Sequence, residues 1–274
     1  MSALIAPVHD LPSLLAGSGY AVLPGLLTPA EVESVCHRFA AYADRAGAQA
    51  LPDGMALRAS PIPGVPGATV QYEPGFDPAG KTATERELGV RKFFQFAQGD
   101  GFFWNLARDP RLRGPVEAVI GTGAQLLQSL ALVKPPEIGI PKAWHQDTPY
   151  FPIDPVTETV GLWIALDRAT LENGCMQVVP GSHRQGVRPH VQGETGWCLD
   201  AEQSARAQAA AIAVPVEPGS ALLFDANLLH FTDANRSPAR RRALQFHYSS
   251  ARTRASGALR LESLDQDNAP WGRS

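Results

Sequence analysis

Cysteine is scarce in this chain: Cys36, Cys175 and Cys198 are the only three in 274 residues. They are odd in number, widely spaced and free of any CxxC pair, which argues against a disulfide scaffold and a cysteine-based zinc site. That usage suits a reducing compartment, so a cytoplasmic protein is expected. Long apolar runs are missing as well. No stretch approaches the roughly 20 apolar residues a membrane span requires, and no membrane partner is expected. The opening MSALIAPVHDLPSLLAGSG has neither a basic segment nor a continuous apolar centre, which argues against a signal peptide. Charge of one sign is absent too: 24 Lys and Arg stand against 27 Asp and Glu, a net charge of -3, so no nucleic acid is expected as partner. No internal repeat and no low-complexity tail occur.

What is present is an ordinary globular composition, 44% hydrophobic and 19% charged. The length suffices for a substantial core, and we read residues 1–274 as one domain. Its first part, 1–122, is helical where regular. LTPAEVESVCHRFAAYADRAG opens with a capping box: Thr28 caps, Pro29 takes the first helical position and Glu31 reaches back. Leu27 and Val32 are spaced as a hydrophobic staple. Val32, Val35, Phe39 and Tyr42 recur at helical spacing, and Gly47 ends the run. Two shorter helices are expected over 101–107 and 110–120, the second capped by Asp109. Between them and the first helix, residues 52–80 are crowded with Pro and Gly and read as a loop suited to a lid.

After Gly123 the pattern changes. QLLQSLALVK, TVGLWIALD, CMQVVPG, SALLFD and RRALQFHYS are short, apolar or alternating, and divided by Gly, Pro, Asn and Asp. Strand upon strand without helical periodicity indicates a sandwich or jelly roll over about 123–250, and an α+β fold with helices packed outside one sheet.

WHQDTPYF, residues 144–151, raises the chemical question. In a strand His145 and Asp147 would share a face, a few ångströms apart. A third ligand must come from elsewhere. His9 lies in the frayed start, His37 in a helix, and His183 and His190 flank the loop-like 182–198 segment, a second candidate cover. His230 ends SALLFDANLLH, near the far end of the β region, where a jelly roll returns its late strands beside its early ones. Two histidines and one carboxylate form the facial triad that suits non-haem Fe(II) and leaves three positions open. Such a centre needs a reductant. 2-Oxoglutarate provides one, and a bidentate arginine best matches its distal carboxylate. In RRRALQFHY, strand alternation gives Arg241, Ala243, Gln245 and His247 one face, and Arg240 and Arg242 the other.

KPPEIGIPKAWHQDTPYF, GLWIALDRATLENGCMQVVPGSH and GSALLFDANLLHFTDANRSPARRRAL together closely resemble the phytanoyl-CoA dioxygenase family of Fe(II)/2-oxoglutarate oxygenases. The likeness runs from about Lys92 to Tyr248. It implies a double-stranded β-helix (jelly-roll) core with N-terminal and flanking helices. It implies His145, Asp147 and His230 as iron ligands, with no catalytic side chain beyond them, and Arg241 as the 2-oxoglutarate arginine. It further implies that Trp163, Lys92 and Thr232 contact 2-oxoglutarate, that Leu130 forms an apolar wall, and that O2 is a cosubstrate. Without the resemblance, Trp163 would be core packing and Lys92 an exposed lysine. Tyr72, Tyr150 and Phe151 are candidates for the substrate pocket. The expected reaction is hydroxylation of an unactivated C–H bond of a small molecule, with release of succinate and CO2. The presence of Asp147 disfavours halogenation, which needs that position vacated. The alternative is a jelly-roll protein that binds metal without turnover or hydrolyses with zinc. A cupin of that kind would be expected to show HxH with a following Glu, which this chain lacks.

Overall fold

A computed structural model describes residues 10–47, 59–267 and 269–271. Its helices are α1 (Leu11–Ser18), α2 (Pro29–Ala46), α3 (Ala83–Gly89), α4 (Gly101–Ala107), α5 (Pro110–Ile120) and α6 (Ala201–Ala210). Four strands precede residue 123: β1 (Tyr20–Leu23), β2 (Ala59–Pro61), β3 (Thr69–Tyr72) and β4 (Val90–Phe94). Then come β5 (Gln125–Lys134), β6 (Lys142–His145), β7 (Ile153–Asp154), β8 (Thr159–Ala165) and β9 (Met176–Val178). β10 (Val191–Gly193), β11 (Gly196–Cys198), β12 (Ile212–Val214), β13 (Ala221–Asp225), β14 (His230–Thr232) and β15 (Arg241–Ser249) follow. Two short strands, β16 (Arg254–Ala255) and β17 (Glu262–Ser263), close the order.

The capping residues act as the sequence indicates. Thr28 and Glu31 exchange side-chain bonds at the start of α2, and Asp109 accepts from the backbone of Arg111 at the start of α5. Two helices differ from the expectation of unbroken strands and loops. α3 begins with a second capping box, Thr82 with Glu85, and α6 is capped by Asp200. Both have little apolar periodicity to announce them, since α6 buries only Ala207 and α3 only Gly89.

Two antiparallel sheets face each other. The larger runs β1-β13-β8-β15-β5-β4-β3-β2, and the smaller runs β12-β9-β14-β6. The N-terminal part is therefore not purely helical: β1 pairs with β13 at one edge, and β2 to β4 extend the sheet beyond β5 at the other. Residues 52–58 of the Pro/Gly-rich stretch lie outside the described residues. Residues 59–72 form a hairpin hydrogen-bonded to the sheet edge, where the sequence indicated only loop, and residues 73–80 follow it as turns. The strands are too short, three and four residues, for alternation to reveal them.

Alternation decides which face carries what. On β8 and β15, Leu162, Ile164, Leu244 and Phe246 pack with the helices, while Trp163, Ala165 and Ala243 pack against Met176 and Val178 of the smaller sheet. Gly161 is needed because a Cβ there would meet the Phe224 ring of β13 at 2.4 Å. Under the helices Phe39, Tyr42, Phe93, Phe96 and Phe103 form an aromatic cluster, with Phe39 stacked on Phe93 at 5.2 Å. Asp100 locks its rim, accepting from Tyr42 Oη at 2.6 Å and from Arg38 at 2.8 and 3.1 Å. The chemistry is thus left to the opposite, inner face.

Phe39→Ala should cost about 3–5 kcal/mol, the range for removing a buried aromatic. Urea unfolding measures it; a loss below about 1 kcal/mol would show that the helical cover is not part of the cooperative core.

Candidate metal centre and its cavity

β6 and β14 are neighbours in the smaller sheet, and their register sets His230 directly opposite His145. The two imidazole centroids are 4.1 Å apart. β6 stops at His145, and Asp147 opens a single 3-10 turn, Thr148–Tyr150. The strand alternation expected across HQD is therefore not what joins the first two residues. The chain turns after His145, and the backbone N–H groups of Asp147 and Thr148 both donate to the Ala226 carbonyl, at 2.8 and 3.2 Å. That turn carries Asp147 Oδ1 to 3.4 Å from His145 Nε2 and 3.6 Å from His230 Nε2. Each residue offers one ligand atom, all within 4.8 Å of one another, so the three could hold a metal ion.

The donor chemistry fits a divalent metal. His145 Nδ1 lies 2.8 Å from the Ala143 carbonyl, and His230 Nδ1 lies 3.0 Å from the Leu228 carbonyl. A carbonyl only accepts, so each Nδ1 carries the proton and each Nε2 presents its lone pair to the centre. Burial, then the nearby His230, pushes His145 down to about 3, and burial likewise lowers His230. Both rings are neutral, as ligands must be. Burial works against the charge of Asp147, yet the histidines around it, His247 through a hydrogen bond, hold its carboxyl well below the usual range. His247 Nε2 is 2.8 Å from the other oxygen, Oδ2, and so holds one oxygen while the other faces the centre.

A cavity of about 150 Å³ opens beside the triad. Arg241, Trp163, Thr232, Lys92, Tyr150, Phe151 and Leu130 all line it. Arg241 is only 2% exposed. Its guanidinium donates to the Leu132 carbonyl at 3.2 Å and lies over the Trp163 ring at 5.5 Å. Arg241 Nε and Trp163 Nε1 are buried without an acceptor. Two orphaned donors in one cavity call for an anion. Arg242 turns the other way to Asp167, at 2.8 and 2.9 Å, and Arg240 pairs with Glu87 at 2.9 Å. Tyr72 is a correction: it is buried on β3, stacked on Phe76 at 5.4 Å, and does not line this cavity.

Several residues beyond those foreseen shape the site. Gln146, fully buried between two of the triad residues, donates to the carbonyls of Gly186 and Asn227 at 2.9 and 2.6 Å and accepts from Arg188 N at 2.7 Å. Its own N–H donates to His190 Nε2 at 3.0 Å. The 182–198 segment is thereby keyed to the turn that carries Asp147. At its far end Lys142 Nζ donates to Tyr150 Oη at 2.7 Å and to the carbonyls of Thr195 and Trp197 at 3.2 and 3.1 Å. Lys134 stands beside Arg241, its Cα partner in the β5–β15 ladder. Strand period from Arg241 already put His247 on the inner face; the roles of Gln146, Lys134 and Lys142 depend on loop closure that no local pattern encodes.

The family described as Phytanoyl-CoA dioxygenase (PhyH) matches residues 16–243 of the chain through its sequence profile. A "Phytanoyl-CoA dioxygenase" of Arabidopsis thaliana is 35% identical over 123 residues, 44% of this chain and 43% of that protein. "Phytanoyl-CoA dioxygenase domain-containing protein 1" of Mus musculus is 28% identical over 187 residues, 66% of this chain and 64% of that protein. The chain thus spans less than two thirds of the length of these relatives. Among solved structures, EctD from S. alaskensis with bound Fe superposes with a TM-score of 0.68 at 21% identity, covering 100% of this chain and 87% of that one. The same protein with 2-oxoglutarate and 5-hydroxyectoine gives 0.65 at 22% identity, covering 93% and 85%. These likenesses establish the jelly-roll fold.

His145→Ala and His230→Ala should each lose tight binding of one equivalent of Fe(II) or Co(II), read by calorimetry, with the fold retained by circular dichroism. His183→Ala should keep it; loss of metal there would assign the distal ligand wrongly. Gln146→Leu leaves two backbone carbonyls and one backbone N–H without their side-chain partner, the buried one at Asn227 costing about 1–3 kcal/mol, and should lower metal affinity roughly tenfold or more. Unchanged stability and affinity would remove Gln146 from the support of the site.

Proposed function

The chain belongs to the phytanoyl-CoA dioxygenase family, and on that premise we propose that it is an Fe(II)- and 2-oxoglutarate-dependent dioxygenase hydroxylating an unactivated C–H bond of a small molecule. One observation carries the proposal. The His145–Asp147–His230 cluster and the orphaned Arg241 guanidinium share a single cavity. A metal-binding or hydrolytic jelly roll has no need of the second.

In this reading His145 Nε2, His230 Nε2 and Asp147 Oδ1 would hold the iron. Iron with 2-oxoglutarate and O2 supplies the two-electron oxidation of the substrate, with succinate and CO2 as co-products. Arg241 takes the distal carboxylate of 2-oxoglutarate through its free N–H groups, a charge-assisted contact stronger than a neutral one. Trp163 Nε1 and the Thr232 hydroxyl are the further donors assigned to that cosubstrate, with Lys92. His247 keeps Asp147 from turning its second oxygen toward the iron. Tyr150 and Phe151 line the substrate side and, with the 182–198 segment as a cover, exclude bulk water while the reaction proceeds.

Incubation with Fe(II) and 2-oxoglutarate should yield succinate and CO2 in equal amounts, and no turnover with any metabolite screened alongside iron binding would favour the metal-binding alternative. Arg241→Ala should raise the KM for 2-oxoglutarate by roughly 30-fold or more, the equivalent of truncating one partner of a buried charge pair at about 2–5 kcal/mol. Arg240→Ala should leave KM unchanged. A sensitive Arg240 together with an insensitive Arg241 would assign the cosubstrate arginine wrongly.

A further inference from the structure

The lining of the cavity is unbalanced in charge. Arg91, Lys92, Lys134, Lys142 and Arg241 face it, while Asp147 is its only carboxylate among the described residues. Glu73 neutralises Arg91 from behind, in a buried pair at 3.1 Å. Four basic side chains then stand against one carboxylate. A divalent metal and dianionic 2-oxoglutarate cancel each other, so loading the site leaves the imbalance where it was.

The four basic side chains divide by position. Lys134 lies beside Arg241 at the deep end, where the distal carboxylate of 2-oxoglutarate belongs, and its Nζ is tied to the Ile140 carbonyl at 2.6 Å. Lys142 lies at the mouth, against the exposed Tyr150 and Trp197. Across from it Lys92 Nζ sits 4.7 Å from the centre of the Phe94 ring. The direct contacts of Lys92 and Lys142 are with neutral groups, one ring, one phenol and two carbonyls, and the carboxylate that bears on both, Asp147, is the one committed to the metal. An ammonium held away from water without a counter-charge is costly. Burial, then Arg91, pushes Lys92 down to about 7, and burial pushes Lys142 down to about 8; each lies close enough to the other for Lys142 to contribute to the shift at Lys92. A carboxylate or phosphate beside Lys142 would supply the missing charge, and Phe94, Leu130 and Phe151 would take the apolar remainder of the same molecule.

We infer that the substrate is a small-molecule anion whose carboxylate or phosphate group is drawn to the Lys142 charge at the cavity mouth, taking the place of one of its two longer carbonyl contacts; this rests on reading the site as a 2-oxoglutarate oxygenase centre. The bland role for Lys142 is to pin the β10–β11 hairpin, and the test separates the two.

Protein loaded anaerobically with Fe(II) and saturating 2-oxoglutarate is titrated by calorimetry with 3-phenylpropionate, phenyl phosphate and the neutral 3-phenylpropanamide. At least one anion should bind roughly tenfold more tightly than the amide, and whichever anion is preferred identifies the headgroup. Lys142→Met should erase that preference while the Kd for 2-oxoglutarate stays within about threefold. Equal or absent binding of anions and amide, with 2-oxoglutarate bound normally, overturns the inference. So does a Lys142→Met protein that weakens acid and amide alike, for then Lys142 only pins the hairpin. Should that variant not fold, the wild-type comparison decides alone. Failure to bind 2-oxoglutarate would instead remove the reading of the site beneath the inference.

Discussion

The placement of His230 opposite His145 in the β6–β14 ladder is the constraint on which the rest of the site depends. A strand's side chains alternate, so a slip of one residue would turn His230 to the other face and leave Asp147 with one histidine instead of two. β14 is only three residues long and cannot fix its own register. The register is set from outside. β14 is clamped between β6 and β9, the Asp147 and Thr148 amides bind the Ala226 carbonyl, and the Leu229 amide donates to Ser182 Oγ at 2.9 Å. Gln146 adds the bond to the Asn227 carbonyl. The turn before His230 is therefore held at several points by the turn after His145.

The second constraint is that one sheet must serve two environments. On β15 the outward Leu244, Phe246 and Tyr248 are buried under the helices, with Tyr248 Oη donating to the Ala107 carbonyl at 2.9 Å. The inward Arg241, Gln245 and His247 are as buried but polar, and face the cavity. Ala243 between them packs into the inner apolar cluster with Trp163 and Met176. The helical layer supplies the apolar burial that lets the other face carry charge, because cavity polarity contributes nothing to folding without its ligands.

How much of this was legible in the chain follows from how local each signal is. The capping box at Thr28 and the strands of β5, β8 and β15 are written in neighbouring residues, and the fold class follows from them. His145 and Asp147 stand two apart, so the pair was visible, although the chain brings them together by ending a strand and not by continuing it. His230 and Arg241 required the idea that late strands return beside early ones, and Arg241 also required strand period to choose it from three adjacent arginines. Tyr72 was misjudged because nearness to a loop was all that recommended it. β1 to β4 were missed because three to five residues show no period, and α6 because its alanines and glutamines leave no apolar stripe. Gln146, Lys134 and Lys142 act across the fold on backbone carbonyls, and a carbonyl looks the same at every residue.

The places where local rules fail coincide with the cavity. Arg241 and Lys134 are like charges directly opposed in a ladder, an arrangement that destabilises a sheet. Trp163 and Arg241 leave buried donors without acceptors, which folded proteins seldom tolerate. Neither defect occurs on the helical face of the same strands, where Leu, Ile and Phe pack with one another. On these strands such costs gather around one cluster of ligand atoms, where something that binds can offset them. The compensation that suits Arg241 Nε and Trp163 Nε1 is anionic, because both are hydrogen-bond donors and one belongs to a cation. A site built this way is least stable without its ligands, so cosubstrate binding and consolidation of the inner face are one process.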